Sequence, residues 1–303
     1  MTRTLALTLA AATLLVGCYQ SHSGRAVPDG GSPPGDGRVP PPPPPPPSPP
    51  PPPPSSEAHF VIASLTLPEA LGARAHGVNL DGLDSGEGST EPDATCQEFN
   101  VDFTSIHGGE AGVDNAWSQL VPTLESLVGS TYDELLAARI ADGSLLIGVR
   151  LDDGGGASLV SLSPSGPLRL DSRGRPEAGQ RFEVIEELAV GSRSSDGARE
   201  RMVIRGRFRI PGIEMFLPLL PIAELDRAQL TYAVGSGGLM NGELGAAVEV
   251  ELAVESIASI MPGIEDTLRS VLESVADLDP GPDPQICTAL SLGMAFEAVP
   301  AEF

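Results

Sequence analysis

The side chains best suited to hold a cation lie in the run Asn79-Leu80-Asp81-Gly82-Leu83-Asp84. Oxygens at Asn79, Asp81 and Asp84 alternate around a glycine that permits a sharp turn, which is how a loop wraps a hard ion such as calcium. With Gly82 at the sixth position of a twelve-residue wrapping loop, Gly77 falls first and Gly88 twelfth, so the leading carboxylate and the closing bidentate glutamate are missing. Glu87, Glu91 and Asp93 could complete a site of another geometry, although a solvated acidic loop is the plainer account. Calcium is the one cofactor these residues suggest. A second polar group, Glu110, Asp114 and Asn115, is explained by capping of a helix that follows it.

Other chemistries find less support. After residue 56 the histidines are His59, His76 and His107, none paired at metal-ligand spacing, so neither a zinc site nor a histidine base is indicated. The G-x-S-x-G nucleophile elbow is missing, and Gly235-Ser236-Gly237-Gly238 reads as a turn. The glycine-rich stretches lack the dinucleotide and Walker patterns. Carboxylates are too many for a glycosidase pair to be picked out.

The N-terminus carries the most specific motif. Arg3 precedes an apolar run, Leu5 to Val16, that is shorter than the roughly 20 residues needed to span a bilayer. The run ends Leu14-Leu15-Val16-Gly17-Cys18, which resembles the lipobox of bacterial lipoproteins. That resemblance implies removal of residues 1–17 as a signal peptide, lipidation of Cys18 with acyl chains such as palmitate, and a place in the cell envelope. Residue 19 is Tyr and not Asp, which by the enterobacterial sorting rule points to the outer membrane. Several acyl chains anchor stably where one is marginal.

Residues 18–56 read as a disordered, lipidated linker, and residues 40–54 are proline everywhere except Ser48. At about 3.1 Å per residue this polyproline rod would hold the domain roughly 45 Å further from the membrane. The chain carries a net charge of −23, all 18 basic residues are Arg, and nucleic acid and anionic lipid are therefore unlikely partners. With Cys18 lipidated, Cys96 and Cys287 remain, in a compartment that permits disulfides, and a bridge between them is the simplest expectation.

Residues 57–303 have the composition of one globular domain. Alternating apolar residues predict strands over His59 to Leu67, Ser144 to Leu151, Ala157 to Leu162, Arg181 to Val190, Ala198 to Ile210, Gln229 to Val234 and Leu244 to Leu252, with a final strand through Leu292, Met294, Phe296 and Ala298. The turn chemistry of Gly191 to Gly197 and of Asn241-Gly242 separates neighbouring strands. A helix kinked at Pro122 is expected over Asp114 to Val128, a second behind the capping box Thr131 to Glu134, and a third through Ile264 to Val275. Arg199, Arg201, Arg205, Arg207 and Arg209 share one strand face, to be laced to Glu183 and Glu187. Pro211 to Ile222 is apolar and proline-interrupted, an edge segment or the lip of a groove. The expected fold class is α+β, an antiparallel, sandwich-like sheet with several amphipathic helices packed on it.

The segments Gly77 to Gly82, Asp102 to Ser105, Gly112 to Asn115 and Leu278 to Cys287 look like those of uncharacterised lipoproteins from myxobacterial-type Gram-negative bacteria. That resemblance brings no assigned activity. The leading expectation is a non-enzymatic envelope lipoprotein, tethered to the membrane and presenting a rigid domain to an unidentified protein or small-molecule ligand. Its rivals are a secreted-type hydrolase with an acidic site and a carrier of apolar ligands using Met215 to Ile222.

Overall fold

Phe60 lies opposite Pro300 and Leu65 opposite Phe296, so the first and last strands of the domain are neighbours. The computed structural model describes residues 57–84, 102–107, 109–211, 224–259, 262–283 and 286–303. The expected signal peptide (residues 1–17) and linker (residues 18–56), with Cys18, and also Cys96, the acids Glu87, Glu91 and Asp93, and nearly all of the Pro211 to Ile222 segment lie outside the described residues. In chain order the elements are β1 (Ala58–Thr66), β2 (Arg74–Ala75), β3 (Thr104–Ser105), α1 (Val121–Val128), α2 (Tyr132–Ala141), β4 (Ile147–Leu151) and β5 (Gly156–Pro164). They continue as β6 (Gln180–Asp196), β7 (Arg199–Ile204), β8 (Asp226–Gly235), β9 (Gly238–Glu249), α3 (Val250–Ala258), α4 (Glu265–Val275), β10 (Leu278–Pro280) and β11 (Cys287–Glu302).

Eight of these strands close into a barrel in the order β1, β4, β5, β6, β7, β8, β9, β11 and back to β1, every pair antiparallel. This overturns the sandwich-like α+β expectation. Alternation identifies a strand with one buried face, but a sandwich and a barrel share that pattern. Closure also pairs the backbone groups that an open sheet would leave at its edges.

The inward positions hold large apolar side chains, among them Phe60, Ile62, Leu159, Met202, Ile204, Leu230, Tyr232, Met294 and Phe296. Each fully buried side chain of this size contributes about 1.5–3 kcal/mol. The opposite faces of β1, β4 and β5 are not left to water. Val61, Val160, Leu162 and Phe182 form a second cluster with Val299 and Phe303, because the end of β11 pairs in parallel with the start of β6. The strands β1, β4, β5, β6 and β11 thus enclose a smaller ring that shares a wall with the barrel.

The connections divide the barrel into two unlike ends. Short turns join β4 to β5, β6 to β7 and β8 to β9, and every long connection emerges at the other end. The four helices among the described residues belong to that end, run 8 to 11 residues, and add Val121, Leu136, Val254 and Leu272 to the barrel core. Among the described residues no helix is long and apolar enough to cross a membrane.

Local differences from expectation have physical causes. Pro122 does not kink a long helix. A separate 3-10 turn, Ala116–Gln119, comes first, and the proline stands in the first turn of α1, where its missing N–H has no helical acceptor to lose. That 3-10 turn is capped by Asn115 and not by Asp114. The capping box on α2 is present, with Glu134 N–H donating to Thr131 Oγ1 at 3.2 Å. Asn241-Gly242 lies inside β9, and Gly242 is bare because the Phe296 ring packs over it. The preceding strands break at Gly197 instead of over Gly191 to Gly197. The predicted strand through Leu252 stops at Glu249, where α3 begins.

Candidate metal centre

Glu243 sits in the middle of β9 with its side chain on the outer barrel wall, since Leu244 and Ala246 point inward. It is nevertheless only 2% exposed. A carboxyl group so buried requires polar partners, and it has three neighbours. Ser105 Oγ donates within 3.1–3.2 Å to its two oxygens, Arg199 Nη2 donates to Oε2 at 3.1 Å, and His76 Nδ1 is 3.5 Å from Oε1. Arg199 Nη2 also reaches Thr231 Oγ1 and the Asn241 carbonyl, both at 2.9 Å, which fixes it on the Oε2 side.

The covering layer is the chain between β1 and α1. In it, β2 and β3 pair in parallel, with Ala75 opposite Ser105, so His76 and His107 leave the short ladder side by side. Their rings are 5.1 Å apart, centroid to centroid. The layer docks on β9 and β11 at two glycines. Val78 lies over Gly245, and His76 and Asn115 lie over Gly293. Asn115 clamps the contact from both directions, donating Nδ2 to the His76 carbonyl at 2.8 Å and accepting the Gly293 N–H at 3.1 Å.

The ligand atoms of His76, His107 and Glu243 lie within 4.8 Å of one another. Two imidazoles and a carboxylate oxygen are a donor set for zinc and similar borderline ions. Bonds of about 2.0–2.1 Å put tetrahedral donors roughly 3.3 Å apart, so a contraction of up to about 1.5 Å would close the set. Two features favour that use. His76 Nδ1 is buried and makes no hydrogen bond. Partial burial pushes the His107 imidazole below its ordinary pKa, Glu243 opposing and His76 and Arg199 adding, which favours the neutral form that ligates. Beside the cluster, a pocket of about 340 Å³ is lined by Ser105, Glu110, Arg199, Arg201, Thr231 and Glu243, among others.

Neither histidine has a recognisable partner in the linear chain, because their neighbours come from distant segments. Glu243 was one acid among many, and its usable signal was weak: a charged residue in an otherwise apolar alternating strand.

The loop singled out for calcium is arranged differently. Asn79 Oδ1 accepts the Gly82 N–H at 2.6 Å, Asn79 Nδ2 donates to the Leu83 carbonyl at 2.6 Å, and Asp81 Oδ1 accepts the Leu83 N–H at 2.8 Å. Asn79 and Asp81 therefore build the turn itself; Asp84 closes the described stretch. Beside this turn, Asp114 is 2% exposed and accepts the Leu80 N–H at 2.6 Å. Burial, and then the charge of Asp277, push its carboxyl up to about 9. Asp277 is pushed up to about 7 by burial, against the lowering effect of the Ser291 hydroxyl and N–H that donate to it.

The arginine stripe finds partners other than Glu183 and Glu187. Arg199 meets Glu243, Arg201 meets Glu110 at 2.9 Å, Arg207 meets Glu249 and Glu224, and Arg209 meets Glu224 at 3.5 Å. Cys287 is 1% exposed at the start of β11 and is disulfide-bonded. No protein family, curated protein or solved structure matches the chain.

Proposed function

We propose that the chain is a lipid-anchored envelope protein whose barrel domain binds a divalent transition-metal ion through His76, His107 and Glu243. The observation that carries this reading is the convergence of three ligating side chains from separate segments around a buried imidazole nitrogen with no hydrogen bond. The anchor rests on the lipobox and the standoff on the proline rod. A carrier of apolar ligands is disfavoured, because the barrel interior holds Met202, Leu230, Tyr232 and Phe296 where cargo would sit.

The test is zinc titration of the full chain in detergent, with bound zinc and the thermal midpoint both measured. One zinc per chain and a raised midpoint are expected, since saturation at about 100 times Kd stabilises by about 2.7 kcal/mol. His107→Ala, at an exposed position, should fold and lose both effects. Equal zinc content in the variant and the wild type would sink the proposal.

Calcium at Asn79, Asp81 and Asp84 is the second reading, favoured by one observation. After burial, the charges of Asp277, Asp81 and Asp102 raise the carboxyl of Asp114, and a hard cation would offset that part of the effect. A calcium-dependent midpoint that persists in His107→Ala and disappears in Asp81→Asn supports this second ion; an unchanged midpoint removes it.

A further inference from the structure

Resting on the metal reading above, the pocket beside the cluster points to the class of ligand that would complete it. Three protein donors leave at least one coordination position of a zinc-like ion open. Here the donors come from β9 and from the layer above it. The pocket shares Ser105 and Glu243 with the centre.

The charge of that pocket depends on the ion. Its walls carry Arg199 and Arg201 against Glu110, Glu200 and Glu243, so it is net negative without a metal and net positive with a divalent one. Arg199 is tied to Glu243, Thr231 and Asn241. Arg201 is held more loosely. It is one-third exposed and meets Glu110, itself 40% exposed, so this is a solvent-screened pair that an incoming anion can displace. A guanidinium fork beside a metal with an open position matches an oxyanion, which spans the two with separate oxygens.

We propose that the metal-loaded site binds a small oxyanion, a phosphate or carboxylate group, between the ion and Arg201. The group could belong to a free anion or, against the chain's net charge of −23, to a lipid headgroup. Cobalt(II), whose visible spectrum reports its coordination, serves as the metal for the test. Inorganic phosphate, acetate and phosphatidylglycerol vesicles are added in turn to the cobalt-saturated full chain.

A spectral change with phosphate or acetate, weakened about tenfold by Arg201→Gln at cobalt saturation, is the expected result. A change with vesicles alone assigns the oxyanion to the headgroup. A cobalt spectrum present but indifferent to all three probes overturns this inference and leaves the metal reading standing. So does a response of equal strength in Arg201→Gln, because the guanidinium would then play no part. Failure of the chain to take up cobalt overturns both.

Discussion

Gly293 of β11 lies so close under the His76 carbonyl that a Cβ at this position would collide with that oxygen and come within 2.6 Å of Asn115 Nδ2. The barrel wall therefore has to be bare backbone at the point where the histidine-bearing layer docks. Gly293→Ala should cost about 1–3 kcal/mol, the usual penalty for overpacking a close contact. It should also weaken zinc binding, because the displaced group is the main chain of His76. Gly166→Ala, with nothing within 4 Å of the added methyl, is the matched control and should change neither. Urea denaturation and zinc titration of the two variants decide the matter.

Asp114 makes stability depend on pH in an unusual direction. Its carboxyl holds a proton up to about 9 in the folded chain, whereas the unfolded chain releases it near about 4. Between these values the folded state binds more protons, so stability falls as pH rises through the window. Asp277, raised to about 7, acts with the same sign over the lower part of that range. Asp114→Asn keeps an acceptor for the Leu80 N–H and removes the proton. It should stabilise the chain by about 1–3 kcal/mol at neutral pH and flatten its profile above about pH 7. Denaturation across a pH series in chelated buffer measures this. A variant less stable than the wild type at neutral pH would refute it.

The hydroxyl of Tyr232 is buried without a hydrogen-bond partner, while its ring meets Phe296 edge-on at 6.4 Å. The ring, not the oxygen, holds this part of the core. Tyr232→Phe should be neutral or stabilising by up to about 1 kcal/mol, since it removes a desolvated polar group and keeps the shape. A loss above about 1 kcal/mol on thermal denaturation would mean that the hydroxyl has a partner.

Lipidation and the disulfide are open to mass spectrometry of the mature chain. We expect a diacylated N-terminal peptide beginning at Cys18, and Cys18→Ala should lose palmitate labelling. Non-reducing peptide maps should join Cys96 to Cys287, and reduction should destabilise the domain by at most about 5 kcal/mol. An unlipidated Cys18 would remove the anchor from the proposal.

The sequence alone determined the features that depend on neighbours in the chain. The capping box of Thr131 and Glu134 and most strand positions follow from local spacing and residue chemistry, and the expectations of a lipobox at Cys18 and of a polyproline segment over residues 40–54 rest on the same kind of signal. Even there, local signals misled where tertiary contacts took over a residue. Asn241-Gly242 reads as a turn, yet Gly242 is bare to admit the Phe296 ring.

Only the tertiary structure decided the closure and the site. Alternation predicts a buried face for β1 and for β11 but not that the two strands pair, because register between strands over 220 residues apart leaves no local trace. Likewise His76, His107 and Glu243 are unremarkable at their separate positions. They become a potential ligand set because the β2 and β3 ladder aligns the two histidines and two bare glycines let that layer lie against the barrel. A cluster of side chains assembled from three segments is a property of packing, and packing is what a linear pattern of residue types leaves undetermined.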